Sequence, residues 1–205
     1  VRGGGAAAWC DVSTGDLIVT SVSRPELGPL LARIAPSEVL ISEAASDEPK
    51  LVTQIEELGG VATPLGAASF DSASAQGRLS ALFGVASLDA FGNFSRAELS
   101  AAGALVDYLD VTQKGRLPIL KPPVREPTNR IMQIDAATRR NLEITHAVSG
   151  GRQGSLIAMV DRTLTGAGAR LLETRITAPL TDIADIAQRL DWIEHFAEAE
   201  TLLAE

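Results

Sequence analysis

Residues 6–12 and 17–22 form two short runs rich in apolar and β-branched positions, parted by Ser13-Thr14-Gly15-Asp16, a turn-forming cluster of hairpin length. They predict two antiparallel strands. The spacing then changes to a helical one: Leu27, Leu30, Leu31 and Ile34 share a face, Ser23 stands ready to cap, Pro25 suits the first turn and Pro36 stops the run. Val39-Leu40-Ile41 predicts a short buried strand. Asp47 is placed to cap a helix through Leu58 with Leu51, Ile55 and Leu58 on one face, and Gly59-Gly60 closes it before a strand over 61–65. Strands alternating with helices after an opening hairpin indicate an α/β domain.

Further along, Asp71 can cap a helix to Phe83 that carries Leu79, Leu82 and Phe83, and Ser95-Arg96-Ala97-Glu98 has the form of a capping box. The long helix it starts buries Leu99, Ala102, Leu105, Val106 and Leu109 and runs to about Gln113. Four of the ten prolines, Pro118, Pro122, Pro123 and Pro127, lie between Lys114 and Thr128, where each removes an amide donor and restricts the residue before it. This divides the chain into an α/β domain over 1–113, an extended linker over 114–130 and a mainly helical segment over 131–205. Within the last, 131–134 reads as extended, and Asp135 caps a short helix through Leu142. A helix over 155–164 groups Leu156, Ile157, Val160 and Leu164, and another covers about 167–177 until Pro179. Thr181 or Asp182 then caps a helix whose Ile183, Ile186, Leu190, Ile193 and Ala197 have the spacing of a seam against a further helix. At the other end, the hairpin would accept one more strand before the glycines of Val1-Arg2-Gly3-Gly4-Gly5, so the sequence reads as cut inside or beside its first sheet.

Composition narrows the class. A 45% hydrophobic content with mean hydropathy +0.14 supports filled cores, and 4% aromatic residues leave them to Ala, Leu, Ile and Val. One cysteine, Cys10, excludes an internal disulfide, and the absence of a signal-like start or a long apolar run points to a cytosolic protein without a membrane span. The net charge of −8 argues against nucleic acid as the partner of the whole surface. It is unevenly spread: 1–113 carries 6 basic and 14 acidic residues, 114–175 carries 11 and 5, and 176–205 carries 1 and 7. The basic middle block could meet phosphate, although internal pairing between neighbouring segments accounts for it as well.

Motifs for nucleotide chemistry are incomplete. Gly150-Gly151-Arg152-Gln153-Gly154-Ser155 lacks the Lys that a phosphate loop places after its last glycine, and Gly166-Ala167-Gly168 lacks the third glycine of a dinucleotide fingerprint. His146 and His195 stand 49 positions apart with no ligand-spaced partner. Cys10 beside Trp9 reads as a small core residue.

The most specific stretch is Ile134-Asp-Ala-Ala-Thr-Arg-Arg-Asn-Leu-Glu-Ile-Thr145, followed by Gly150-Gly151, by Val160-Asp-Arg-Thr-Leu-Thr-Gly-Ala-Gly-Ala-Arg-Leu-Leu172 and by Pro179-Leu-Thr-Asp182. It resembles the opening of the core, or lever, region of the bacterial MutS family of mismatch-repair proteins. Tyr108-Leu-Asp-Val-Thr-Gln113 with Ala101-Ala-Gly103, and Asp11-Val-Ser-Thr-Gly15, resemble that family's connector domain, so the likeness runs through nearly all of the chain. It implies an RNase H-like connector followed by lever helices. The likeness covers only the connector and the opening of the lever region, not the family's mismatch-reading domain or its nucleotide-binding motif, so no residue is assigned a catalytic, cofactor-binding or metal-binding role. ATP and magnesium, mismatched DNA and a homodimer are expected of the full-length family member, and the MutL partner is expected on the connector.

On that resemblance, Asp135, Arg139, Arg140, Asn141, Asp161 and Arg170 are expected to serve structural and inter-domain contacts. Arg139 and Arg140 are adjacent and cannot share a helix face, so at most one points to a ligand while the other packs or pairs, for instance with Glu143. The expected role is mechanical, with the segment 114–128 as a pivot between ATPase and DNA-reading parts that lie elsewhere. Two alternatives come from other classes. An RNase H-like nuclease would use Asp11 with carboxylates such as Glu43, Asp47, Asp71 and Asp89 on metal ions, and an autonomous DNA-binding module would use the basic block 114–175.

Overall fold

The computed structural model describes residues 5–114, 117–127 and 130–198. Parts of the amino-terminal glycine run and of the proline-rich segment (residues 1–4, 115–116 and 128–129) therefore lie outside the described residues. The chain forms two compact units, Val1–Thr128 and Asn129–Glu205.

Unit 1 opens with the expected hairpin, β1 (Gly5–Asp11) antiparallel to β2 (Asp16–Val22), paired from Gly5 with Val22 to Asp11 with Asp16. Its turn depends on Gly15 for two reasons. The residue has φ +74°, and a Cβ there would lie 2.1 Å from the Ile119 carbonyl oxygen. Helix α1 (Arg24–Ile34) follows, with the Ser23 amide donating to Glu26 at 2.8 Å, and ends where Ala35 takes a left-handed conformation just before Pro36. Strands β3 (Glu38–Ser42) and β4 (Val61–Leu65) pair in parallel as a second, two-stranded sheet.

Between them the single helix expected from Asp47 is two. Ser42 caps a short α2 (Glu43–Ser46), Asp47 ends it, and α3 (Pro49–Glu57) starts afresh at a proline. Pro49 has no amide to lose and a preset φ, so it nucleates the first turn better than Asp47 caps it. Two 3-10 turns, Ala67–Phe70 and Leu88–Ala90, flank α4 (Ser72–Phe83), which Asp71 caps through the Ser74 amide at 2.8 Å. Helix α5 (Arg96–Thr112) starts at the capping box, Ser95 amide to Glu98 at 2.7 Å and Glu98 amide to Ser95 Oγ at 3.3 Å.

Two clusters fill unit 1. Leu17, Val19, Leu79, Leu88, Ala102, Val106, Leu109 and Leu120 form the larger, under the hairpin and between α4 and α5. Leu31, Ile41, Leu51 and Ile55 form the smaller, around the β3–β4 sheet. Helices α4 and α5 cross closely because position 103 is glycine: a Cβ there would stand 2.2 Å from the Cβ of Ala75. The proline-rich segment does not leave this unit after α5. Leu120 joins the core, and β5 (Val124–Arg125) extends the hairpin sheet in parallel with Ile18 and Val19.

Unit 2 is helical. Arg130 to Met132 meets Pro179 to Thr181 in a short antiparallel bridge, with Met132 N donating to Pro179 O at 2.8 Å and Thr181 N to Arg130 O at 2.9 Å. Helices α6 (Ala136–Asn141), α7 (Leu156–Val160), α8 (Gly166–Thr177) and α9 (Ile183–Glu198) follow. Two expectations fail here. The helix over 155–164 stops at Val160, because Asp161 is extended and its carboxylate captures the Thr163 amide at 3.0 Å and hydroxyl at 2.7 Å, an alternative to the helical ladder. Of the four apolar residues expected to group there, Ile157 is fully buried while Leu164 is 100% exposed. The α9 seam is likewise uncovered: Ile183, Ile186, Leu190, Ile193 and Ala197 are all exposed among the described residues. No described helix is long and apolar enough to cross a membrane.

Candidate functional site

The motif residues of unit 2 build the turn that opens it. Asp135 accepts the Thr138 amide at 2.9 Å and its hydroxyl at 2.7 Å, and these bonds, the amide first, hold its carboxyl below the usual aspartate range. Arg139, on the first turns of α6, donates from Nε to the Ile134 carbonyl at 3.0 Å and from Nη2 to the Thr177 carbonyl at 2.6 Å. It thereby ties the incoming segment at Ile134 and the end of α8 to α6, and the Thr177 carbonyl is among the orphan acceptors of that helix end. Arg140 and Asn141 are exposed on the same helix. Glu143 takes a left-handed backbone, φ +48°, and accepts the Val148 amide at 2.6 Å.

A second knot holds the glycine loop. Arg152 bridges Asp161 at 3.3 Å and Glu173 at 2.8 Å, so the loop, the end of α7 and the middle of α8 share one cation. Asp161 is held below its usual range, by the Thr163 hydroxyl first, then the Thr163 amide and Arg152. Beneath it Ser155 is fully buried, donating to the Arg152 carbonyl at 2.6 Å and accepting the Ala158 amide at 3.3 Å as the cap of α7. Arg170 is exposed on α8, and its carbonyl accepts the Thr174 hydroxyl at 2.9 Å. The loop glycines have positive φ, and Ala147 and Gly151 exchange a turn bond of 2.9 Å, amide of the first to carbonyl of the second.

The carboxylates weighed for a nuclease are scattered through local roles. Asp11 is exposed and accepts the Ser13 amide at 2.8 Å, with the Ser13 hydroxyl the main cause holding its pKa down, so its side chain closes the hairpin turn. Asp71 is a helix cap, Asp89 accepts the Ser87 hydroxyl at 2.7 Å, and Glu43 and Asp47 are exposed around α2. Among the described residues no three His, Cys, Asp or Glu side chains are grouped to hold a metal ion. His146 is exposed with Nδ1 3.0 Å from the Thr145 hydroxyl, and His195 lies edge-on to Phe196. Cys10 packs beside the larger core, and burial pushes its thiol up, followed by the charge of Asp11.

Several cations of the basic block are engaged within the fold. Lys121 pairs with Asp16, Arg125 with Glu98, Arg130 with Asp185 and Arg152 with Asp161 and Glu173. Sequence reasoning missed these partners, because all but one lie 21 or more positions away. It also missed Arg33, which forks onto Glu126 across 93 positions.

The hairpin-led α/β unit and the helical unit that opens on Asp135 match two consecutive family models: "MutS domain II" over residues 3–121 and "MutS domain III" over residues 137–205. The chain belongs to the MutS family. Proteins named DNA mismatch repair protein MutS are similar over its whole length: that of Cereibacter sphaeroides is 57% identical over 205 residues, that of Ruegeria pomeroyi 53% over 209, and that of Paracoccus denitrificans 51% over 205. In each case all of this chain aligns with 23% of the relative. The chain thus spans less than a quarter of the MutS proteins it matches, and its matched residues belong to their domain II and domain III regions.

Proposed function

We propose that this part of MutS is a non-catalytic coupling element, a connector and the start of a lever that carry motion between a nucleotide-hydrolysing domain and a mismatch-binding domain outside it. One observation carries the proposal: domains II and III are contiguous along the chain, and the joining segment is built into the core and sheet of the first. A strap held this way transmits displacement rather than absorbing it, which is what coupling between sites needs from its rigid parts. The strap of this proposal is the segment 114–130, of which residues 117–127 pack with the first unit.

Asp135 and Arg139 serve that role by fixing the entry of the lever, and Arg140, Asn141 and Arg170 offer exposed polar groups for a neighbouring domain. Asp161 serves it indirectly, through Arg152. In the full-length protein ATP with magnesium and mismatched DNA are bound elsewhere, two copies assemble, MutL docks on the connector, and the protein works in the cytoplasm. The test uses the 205-residue chain alone, in a gel shift with heteroduplex DNA, an ATP hydrolysis assay and a surface binding assay with MutL. The expected outcome is retention of MutL without tight heteroduplex binding or turnover. Tight, steeply salt-dependent binding of heteroduplex would replace coupling with DNA binding as the main role, and magnesium-dependent cleavage abolished by Asp11→Asn would replace it with nuclease action.

A further inference from the structure

A two-residue parallel strand such as β5 forms too few ladder bonds to hold a chain by itself. Two bidentate ion pairs on adjacent residues reinforce it. Arg125 forks onto Glu98, Nε to Oε1 at 2.9 Å and Nη2 to Oε2 at 2.7 Å; Nη2 also donates to the Asn93 carbonyl, and the guanidinium lies 5.4 Å from the Phe94 ring centroid. Glu98 is 1% exposed and at the same time closes the capping box of α5. The next residue, Glu126, goes to a different helix. Arg33 in the last turn of α1 forks onto it, Nη1 to Oε1 at 2.9 Å and Nη2 to Oε2 at 2.5 Å, with the two side chains 12% and 17% exposed. The same guanidinium stands 5.6 Å from the Trp9 ring centroid on β1. The Glu126 main chain is held too, its amide donating to Val19 O at 2.9 Å and its carbonyl accepting the Thr20 hydroxyl at 3.3 Å.

The order of signs matters. The strap presents a cation and then an anion, to a carboxylate of α5 and a guanidinium of α1. A slip of one residue in either direction brings Glu126 to Glu98 or Arg125 to Arg33, like charges of which Glu98, Glu126 and Arg33 are largely buried while Arg125 is 42% exposed, and either pairing is unfavourable. Forked arginine–carboxylate geometry adds directional specificity that a point charge lacks.

We propose that Arg125 and Glu126 form a two-ended register lock that anchors the strap to the connector, so that force arriving along the chain from the helical unit is delivered to α1 and α5 instead of peeling β5. The use made of the lock rests on the coupling proposal; its existence does not.

Hydrogen exchange on the 205-residue chain, without nucleotide, DNA or partner, tests it. The reporters are the amides of Lys121 and Glu126, bonded to Gly15 and Val19 carbonyls. Arg33→Gln and Arg125→Gln are each expected to speed exchange across 117–127 by roughly tenfold or more while α4 keeps wild-type protection. The double exchange Arg33→Glu with Glu126→Arg restores protection, and Arg24→Gln, which breaks the exposed pair with Glu48, leaves the strap as it was. Unchanged protection of 117–127 in both single variants, or an equal rise throughout unit 1, overturns the lock. If Arg125→Gln does not fold, Arg33→Gln and the double exchange decide the matter. Failure here leaves the coupling assays untouched, and failure there leaves this measurement untouched.

Discussion

Replacing Gly103 by alanine sets two effects of opposite sign against each other. Inside a helix the change ordinarily stabilises by about 1 kcal/mol, because glycine has the greater backbone freedom to lose. At Gly103 the added Cβ would stand 2.2 Å from the Cβ and 2.8 Å from the Cα of Ala75. The second distance decides the outcome: a Cα moves only if α4 moves, and α4 is seated in the main core through Leu79, which is 0% exposed. Overpacking of this kind costs about 1–3 kcal/mol, so a net destabilisation of up to about 2 kcal/mol is expected. Gly77, interior to α4 with no neighbouring atom within 4 Å of where a Cβ would stand, gives the reference: Gly77→Ala should stabilise by up to about 1 kcal/mol. Urea unfolding reads both, in a Trp192→Phe background so that the remaining tryptophan, Trp9, reports on unit 1. A lower midpoint for Gly103→Ala with an unchanged slope, and a higher one for Gly77→Ala, are the expected results. Equal or greater stability of Gly103→Ala would refute the close crossing of α4 and α5.

Further expectations concern the caps and ion pairs. Ser155→Ala removes a buried cap and a donor to the Arg152 carbonyl, and should cost unit 2 about 1–3 kcal/mol by thermal unfolding followed through Trp192. Asp135→Ala should speed hydrogen exchange at the Thr138 amide, with no change in the protection of α4. Burial pushes the Glu98 carboxyl up, but bonds from Arg125 and Ser95 outweigh it and leave it below the ordinary value of 4.5. A carboxyl depressed in the folded state contributes stability that is present above 4.5 and lost as the pH falls below it. The urea midpoint of unit 1 should therefore drop on acidification below that value, and drop less in Glu98→Gln.

What was legible in the sequence was local. Ser95 and Glu98 stand three positions apart, Asp71 precedes its helix directly, and Asp135 leads α6, so each cap could be read from neighbours a few bonds away. The hairpin followed from two short apolar and β-branched runs and the turn residues between them, and the motifs from Ile134 onward marked the family. What was hidden depends on distance along the chain. Nothing beside Arg125 announces a carboxylate 27 positions earlier, and nothing beside Arg139 announces the Thr177 carbonyl 38 positions later. Periodicity misled in two places where a local competitor prevailed: Pro49 divided one expected helix, and Asp161 shortened another by capturing Thr163. The α9 seam shows the remaining gap between pattern and structure, since apolar spacing states that a face wants cover without stating what supplies it.

The central claim, that this region couples distant activities mechanically, is tested most directly in full-length Cereibacter sphaeroides MutS carrying these 205 residues in place of its own. Residues 117–127 are replaced by a Gly/Ser segment of equal length, and ATP turnover, heteroduplex affinity and the change in turnover on adding heteroduplex are measured side by side. Coupling through a stiff strap predicts that basal turnover persists while the response to mismatched DNA is lost. A full response with the flexible strap would contradict it.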